Sequence, residues 1–371
     1  MTLAKKEKQA NYELMRILSM FMIVFWHVLG NNVPVDRLNP TLSFCFRLLQ
    51  TCIVVHVNSF VLLTGYFSTK KTTTWRKALS IFFTSWSYRV AFACLLLFTA
   101  WVPLSHIQFF QEIMPFDLIN YWFINCYLVL LLLVPFLNIL IQHMTERQHK
   151  ALLCVSFLLF SIIPFLTNQS TVANNGYTII QFVFIYFVGA YFKKYPLANN
   201  YHFKFWSKSK LQCLFLFTFF GTFLINFMIS YFANDLTKIN SSILNYIGTT
   251  LSASLLNYSN PLVVIQSVSF FLFFGTLTIK GRWINKLSAL TFGIYLFHDN
   301  YYFKQIIYTP FHIGNYLNSF MLIPYCIFVA LIIFGAGLLC EFLRTRLVSF
   351  IKKRKVVQSF FKKFDRYVEE F

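Results

Sequence analysis

The residues most able to do chemistry stand inside apolar segments, where charged groups are rare. The segment NYELMRILSMFMIVFWHVLG, residues 11–30, carries Arg16 and, three helical turns later, His27. The two side chains therefore share one helix face and lie roughly 16 Å apart along its axis. A second such histidine is His298, in LTFGIYLFHDNYYF. Charged groups inside membrane segments usually face a bundle interior or a water-filled cavity, so this polar stripe predicts one wall of a pathway into the membrane.

The chemistry that suits these groups is acyl transfer. A neutral imidazole can take a proton from a hydroxyl as a general base, and arginine can bind phosphate or stabilise an oxyanion. Phosphoryl transfer would need acidic metal ligands, and the sequence has no glycine-rich phosphate loop, HExxH or GxSxG motif. A basic segment, STKKTTTWRK, suits an anionic phosphorylated donor that comes from the cytoplasm. Its charged residues are Lys70, Lys71, Arg76 and Lys77.

Purely structural explanations exist for the same residues. The long side chain of Arg16 could extend to the membrane surface and pair with Glu13. A lone histidine on an apolar helix is more often a hydrogen-bonded packing residue, and His56, in IVVHVNSFVLLTGYF, is open to both interpretations. Several histidines and arginines in one bundle favour a site over packing.

The elements that must position these residues are membrane helices. Of the 371 residues, 57% are hydrophobic and only 12% are charged, and 48 are Phe. A soluble domain is nearer a quarter charged, and no soluble core could bury this much apolar surface. The chain is therefore predicted to be an all-α, polytopic membrane protein with about ten spans. The predicted spans are residues 14–33, 42–67, 78–101, 118–141, 151–167, 177–192, 211–232, 261–279, 287–308 and 317–340.

The distribution of basic residues predicts which side each connection faces. Only Arg37 and Lys238 fall in the connections that alternate to the outside, and four more basic residues lie within spans. The others among the 32 Lys and Arg fall on the side of the N-terminus, which the positive-inside rule assigns to the cytoplasm. Both termini are thus predicted to be cytoplasmic, and the first helix is expected to be an uncleaved span rather than a signal peptide.

The net charge of +20 then follows from topology and from contact with anionic membrane lipids, not from nucleic-acid binding. Residues 1–345 are predicted to form one transmembrane domain. Residues 346–371 are predicted to form a basic cytoplasmic tail that lies on the inner leaflet. Nearly all of the eight cysteines lie in apolar runs without a CxxC pair, so they are interpreted as small buried side chains. No metal is expected.

Five segments, in order along residues 11–340, are similar to the acyltransferase 3 family of integral membrane acyltransferases. The segment RILSMFMIVFWH resembles the family's first-helix pattern of Arg, ten residues, then His, and VNSFVLLTGYF resembles the end of its second helix. YWFINCYLVLLLLVPFLN, with Trp122 and Phe123, resembles a helix that contains the pair WF. FVFIYFVGAYF and LSALTFGIYLFH resemble later helices, of which the second ends at His298.

The resemblance implies a bundle of ten core helices with both termini inside. It implies transfer of an acetyl or other short acyl group from acyl-CoA, with acetyl-CoA as the donor, to a sugar hydroxyl of an envelope or exported polysaccharide. Arg16 and His27 are implied as the principal functional pair and His298 as a further candidate. The basic residues after the second helix resemble the family's arginine cluster. Lysines replace some of those arginines here, and lysine lacks the bidentate fork that binds a phosphate.

The implied setting is a bacterial plasma membrane, and a bias to Phe, Ile, Asn and Lys is typical of an AT-rich bacterial genome. Acyl-CoA, a polysaccharide or lipid-linked sugar, membrane lipids and other polysaccharide-biosynthesis proteins are the expected partners. A transporter or flippase of a polysaccharide precursor or anionic small molecule remains the alternative, although proton coupling usually needs carboxylates and only Asp299 lies well inside a span. A membrane haem protein would need histidines at matched depths, which the predicted spans do not provide in two clear pairs.

Overall fold

The computed structural model describes residues 9–71, 74–114, 121–167, 174–200 and 203–352. Regular structure within these ranges is helical, without a strand, which confirms the all-α prediction. The predicted tail, residues 346–371, lies outside the described residues from position 353 onward. The α-helices are α1 (Ala10–Asn32), α2 (Pro40–Ile53), α3 (His56–Ser68), α4 (Trp75–Thr99), α5 (His106–Ile113), α6 (Trp122–His143), α7 (Glu146–Phe157), α8 (Ile163–Thr167), α9 (Ile179–Lys194), α10 (Lys208–Leu236), α11 (Ser242–Ser254), α12 (Pro261–Thr276), α13 (Arg282–Ser288), α14 (Thr291–His298), α15 (Phe303–Tyr308) and α16 (Leu322–Lys352).

Seven helical segments of the described chain are long and apolar enough to cross a membrane, and they coincide with seven of the predicted spans. Their outer faces carry exposed aromatic side chains such as Phe98 and Phe217, as expected where lipid tails surround the protein. The chain is thus a multi-pass membrane protein. The segments are Ala10–Asn32, Pro40–Ser68, Trp75–Thr99, Trp122–His143, Glu146–Thr167, Lys208–Ala233 and Leu322–Phe350.

The other three predicted spans differ from a full-length membrane helix. Helices α9 and α12 have 16 residues each, which is about 24 Å and shorter than a typical hydrocarbon core. Helix α12 begins sharply because Asn260 caps it and Pro261 occupies its first turn. The predicted span 287–308 is not one helix, since the chain turns between α13 and α14 and again between α14 and α15. The number of crossings and the side of the termini stay predictions.

Helix α1, which carries Arg16 and His27, lies at the centre of this arrangement. It packs against α3, α12, α13, α14 and α16, and Met15, Val24 and Val28 are completely buried on it. A helix surrounded in this way is apolar nearly all round. Its few polar side chains must therefore find partners on neighbouring helices, because an unpaired polar group buried in apolar surroundings is costly.

A close helix crossing joins α3 to α9 through two glycines. Gly65 faces the backbone carbonyl of Tyr186, and Gly189 faces the backbone carbonyl of Leu62. A Cβ atom at either position would overlap these carbonyls. Small residues at such crossings let membrane helices approach closely, and the helices joined here contribute to a different hydrophobic cluster from that of α14 and α16.

Candidate active site

The structure brings His27 and His298 into direct contact. Nδ1 of His27 lies 2.9 Å from Nε2 of His298, and the two ring centroids are 5.1 Å apart. The His298 residue is completely buried, whereas 22% of the His27 side chain remains accessible. The sequence placed His298 about halfway along a continuous span. It instead ends α14, immediately before a turn, and this break puts it at the same depth as His27.

Hydrogen bonding fixes the tautomers of the neutral pair. Nδ1 of His298 lies 2.6 Å from the carbonyl oxygen of Ile294, and because a carbonyl only accepts, this nitrogen carries the proton. Nε2 of His298 must then accept, so Nδ1 of His27 donates to it. The remaining nitrogen of His27, Nε2, therefore holds a lone pair. An imidazole oriented in this way can take a proton from a substrate hydroxyl.

A carboxylate completes the group. Oδ1 of Asp299 lies 3.7 Å from Nδ1 of His27. This is beyond hydrogen-bond distance, yet close enough for its negative charge to stabilise the imidazolium that forms when His27 takes a proton. The sequence alone does not show whether the side chain of Asp299 faces an imidazole. The turn that ends α14 settles it, because Asp299 caps the helix with its side chain directed at α1.

At the opposite end of the stripe, Arg16 is held by two partners. Its Nη1 donates to Oε2 of Glu13 at 2.5 Å and to Oγ of Ser288 at 3.3 Å. The Ser288 hydroxyl also donates to Glu13. The pairing of Arg16 with Glu13 that the sequence suggested is thus observed, and 27% of the Arg16 side chain is still accessible. A guanidinium has five N–H donors, so an anion can bind to Arg16 without breaking either contact.

Between its two ends the stripe is packed rather than open. Ser19 is completely buried, and Ile23 is only 5% exposed. The hydroxyl of Ser19 has no hydrogen-bond partner within the described ranges. The open pathway expected along this face is therefore closed at its centre in this conformation, because neighbouring helices fill the space beside α1.

The four basic residues that the sequence predicts to bind the acyl donor do not all lie in the same environment. Lys77 donates to the hydroxyl of Tyr127 at 2.7 Å. Partial burial lowers the pKa of Lys71, the nearby ammonium of Lys77 lowers it further, and the guanidinium of Arg16 adds to the effect. Lys71 and Lys77 thus share a positive region with Arg16 near Tyr127. Two lysines and an arginine around one hydroxyl suit an anion such as a phosphate.

The other two basic residues are Lys70 and Arg76. Lys70 lines a separate cavity of about 410 Å³ with Thr69, Lys193 and Lys194, and Arg76 is exposed in the first turn of α4. The structure therefore groups Lys71 and Lys77 with Arg16 and places Lys70 beside a separate cavity. Sequence spacing could not separate them because all four fall within one short connection and the first turn of the next helix.

Two further polar side chains, those of His56 and Arg89, have their polar atoms bonded to neighbouring groups within the bundle. His56 is buried with Nδ1 2.7 Å from the carbonyl of Ile53 and Nε2 3.3 Å from the hydroxyl of Tyr258, so both of its nitrogens are used. Arg89 is buried and pairs with Glu112 at 3.3 Å, and its guanidinium also donates to backbone carbonyls of the α5 segment. These contacts explain both residues as packing elements.

Sequence reasoning missed the tyrosines beside the histidine pair. The hydroxyl of Tyr121 donates to the carbonyl of Leu296 at 2.9 Å, which ties α6 to α14. Tyr295 lies next to it, with the ring centroids 5.7 Å apart. One signal was available, because Tyr295 precedes His298 by three residues, and residues at that spacing lie on the same helix face.

Comparison with known proteins gives one match. A family model described as an acyltransferase domain matches residues 9–351. No curated protein and no solved structure matches the chain.

Proposed function

Since a match over nearly the whole length shows that the chain belongs to the acyltransferase 3 family, we propose that it is an O-acyltransferase. It moves an acetyl or other short acyl group from acyl-CoA on the cytoplasmic side to a sugar hydroxyl of a cell-surface or exported polysaccharide. The observation that carries this proposal is the bonded pair of His27 and His298, which leaves Nε2 of His27 unprotonated.

The reaction follows from that lone pair. Nε2 of His27 takes the proton of the acceptor hydroxyl while the hydroxyl oxygen attacks the thioester carbonyl carbon, so a C–O bond forms and the carbonyl oxygen becomes negative. When the tetrahedral intermediate collapses, the C–S bond breaks and sulfur leaves with the electron pair. The imidazolium of His27 returns its proton to that sulfur. The products are an O-acyl ester and free coenzyme A thiol, and the Asp299 carboxylate stabilises the imidazolium in between.

The donor is assigned to the opposite end of the stripe. Arg16, Lys71 and Lys77 form a positive region there, which suits the phosphates of acetyl-CoA. Arg16 and His27 lie on one continuous helix, roughly 16 Å apart along its axis. A pantetheine arm spans a distance of this order, so a donor whose phosphates bind near Arg16 can present its acyl carbon near His27. Because Ser19 and Ile23 are packed, the helices beside α1 must separate for the arm to enter.

The acceptor is assigned to the side of His27. The end of α1 that carries His27 faces outward in the predicted topology, as positive-inside placement of the basic segments requires. The acceptor is a polysaccharide, or a lipid-linked sugar that is later built into a polysaccharide. It presents one hydroxyl to the imidazole from that side. The protein would then act in the plasma membrane of a bacterium, beside other proteins of polysaccharide biosynthesis.

The test is acyl transfer by purified protein. Radiolabelled acetyl-CoA is incubated with monodisperse protein and a surface polysaccharide preparation, and label in the polysaccharide is counted. Loss of a general base lowers the rate by about 10²–10⁴-fold, so His27→Ala is expected to abolish transfer while acetyl-CoA still binds. Near-normal transfer by His27→Ala, per folded molecule, would show that the imidazole only packs.

The same preparation separates the enzyme from the transporter. Reconstituted in vesicles, an acyltransferase forms labelled ester and releases coenzyme A thiol in equal amounts. A flippase moves the unmodified sugar lipid across the bilayer and forms no ester, and that result would replace the proposal.

A further inference from the structure

One buried hydroxyl beside the histidine pair, that of Tyr295, has no assigned role in the reaction described above. Tyr295 is buried, and its hydroxyl has no hydrogen-bond partner among the residues that the structure describes. Three other buried tyrosines use their hydroxyls. Tyr121 donates to Leu296, Tyr88 donates to Glu341, and Tyr186 donates to Asn138. A buried donor left unpaired is costly, so its retention calls for an explanation.

The ring of Tyr295 is fixed beside the histidine pair. It lies on α14 one turn before His298, and the two ring centroids are 6.0 Å apart in an edge-to-face arrangement. The rings of Tyr121 and Phe123, on the other side, lie at 5.7 and 5.8 Å. The phenol is therefore held between α6 and the imidazoles and cannot easily turn away. A donor held in place before the reaction needs no reorganisation when charge develops.

The neighbouring carboxylate engages the donor only weakly. Asp299 acts on Tyr295 through its charge and through a side-chain contact of hydrogen-bonding character, but the hydroxyl has no hydrogen-bond partner of normal geometry in the described chain. Asp299 instead lies beside Nδ1 of His27. A phenol ordinarily titrates near pH 10, so Tyr295 carries its proton at neutral pH and remains able to donate.

We propose that Tyr295 is a catalytic residue whose hydroxyl donates a hydrogen bond to the oxyanion of the acyl-transfer intermediate. The inference rests on the proposed O-acyltransferase function and adds a group that the reaction needs. His27 and His298 handle the proton, and the carbonyl oxygen that becomes negative requires a donor of its own. Tyr295 keeps its proton throughout, and its hydrogen bond weakens again when the C–S bond breaks. Its position on α14 places this donor on the same rigid element as His298.

Tyr295→Phe tests the proposal because it removes only the oxygen and leaves the ring between its neighbours. Loss of one oxyanion donor lowers kcat by about 10²–10³-fold, and the KM values for acetyl-CoA and acceptor are expected to stay within twofold. The thermal unfolding temperature should be unchanged or higher, since a buried unpaired hydroxyl is removed. Tyr308→Phe is the matched control. Its hydroxyl is also buried and has no hydrogen-bond partner of normal geometry in the described chain, but Tyr308 lies on α15, and the variant's kcat is expected to match that of the wild type.

The possible results distinguish an error in the role of Tyr295 from an error in the proposed acyltransferase function. Normal kcat in Tyr295→Phe, with wild-type transfer intact, overturns the role of Tyr295 and leaves the acyltransferase standing. Equal loss in Tyr295→Phe and Tyr308→Phe also overturns it, because the effect would then come from general packing. A wild-type protein that transfers no acyl group overturns both.

Discussion

At the scale of single residues, the bond between His27 and His298 decides which nitrogen can act. The carbonyl of Ile294 holds the proton on Nδ1 of His298, and that choice passes through Nε2 to His27. His298 thus does for His27 what a carboxylate does in a catalytic triad: it selects the tautomer and orients the ring. The carboxylate of Asp299 supplies the charge that a second neutral imidazole lacks.

His298→Ala tests this division of roles. Removing the acceptor of Nδ1–H frees the His27 ring to turn and to change tautomer, so kcat is expected to fall about 10²–10⁴-fold with little change in KM for the donor. The measurement is labelled-acetyl transfer per monodisperse molecule. His149→Ala is the control, since His149 is equally buried and bonds the carbonyl of Phe187 elsewhere in the bundle. It should lower stability only. Similar turnover losses in both variants would mean that His298 matters for folding alone.

If the positive region formed by Arg16, Lys71 and Lys77 binds the donor, the KM for acetyl-CoA should depend on ionic strength. The double change Lys71→Ala and Lys77→Ala removes two ammonium groups near Arg16, so the KM for acetyl-CoA should rise several-fold at low ionic strength. The difference should narrow at high salt, where exposed charges are screened. Lys150→Ala serves as the control, because Lys150 is an exposed lysine whose partner is Glu146 at 2.7 Å. An unchanged KM in the double variant would leave these lysines with a topological role only.

The sequence predicted part of the arrangement of the candidate site and could not predict the rest. Arg16 and His27 belong to one helix, so the 3.6-residue period was enough to place them on one face. The contact between His27 and His298 joins positions 271 residues apart and depends on how α14 ends and packs. The separation of Lys70 from Lys71, and the position of the Tyr295 hydroxyl, likewise depend on tertiary packing that no local pattern encodes.

At the scale of elements, the break in the predicted span 287–308 creates the contact between His27 and His298. A continuous helix would carry His298 past α1 at a different depth and would direct Asp299 to another face. The turns before Thr291 and after His298 give a short helix, α14, that packs against α1, α4 and α16. Hydropathy averaged over a window cannot detect such turns, because the average smooths over the few polar residues that stand at them. This is why the predicted spans agree best where a helix is long and uninterrupted.

The crossing of α3 and α9 gives a prediction about stability. Gly189→Ala places a Cβ against the backbone carbonyl of Leu62, and backbone cannot yield as a side chain does. Overpacking of this kind costs about 1–3 kcal/mol, so the variant should unfold at a lower temperature and give less monodisperse protein. Gly221→Ala in α10 is the control, because nothing lies within 4 Å of the added Cβ. It should be neutral or slightly stabilising, since alanine favours helix. Equal stability of the two variants would contradict the role of the crossing.

At the scale of the whole molecule, contacts group the connections into two sets that agree with the charge pattern. Arg16 bonds Ser288 and Lys208 bonds Thr278 at or near the end predicted to face the cytoplasm. At the other end, Asn318 accepts from the backbone of Asn39 at 2.5 Å. Because segments of one predicted side meet each other, the site has one end rich in basic groups and another with the imidazole pair. A donor and an acceptor that approach from opposite sides fit this polarity.

Accessibility of single cysteines tests that polarity and the crossings of the shorter helices together. On a background without the native cysteines, Ser105→Cys and Asn240→Cys should react with an impermeant thiol reagent in intact cells. Asn199→Cys should react only after permeabilisation.

Because Tyr177 and Asn199 flank α9, a label at Tyr177→Cys without one at Asn199→Cys shows that this 16-residue helix crosses. Trp283→Cys and Asn315→Cys report in the same way on α13 to α15, with reaction from outside expected only at Asn315. All six positions carry exposed side chains, so failure to react reflects the side of the membrane and not burial. Labelling of Asn199→Cys in intact cells would reverse the orientation and place the basic region outside, where no cytoplasmic acyl-CoA could reach it.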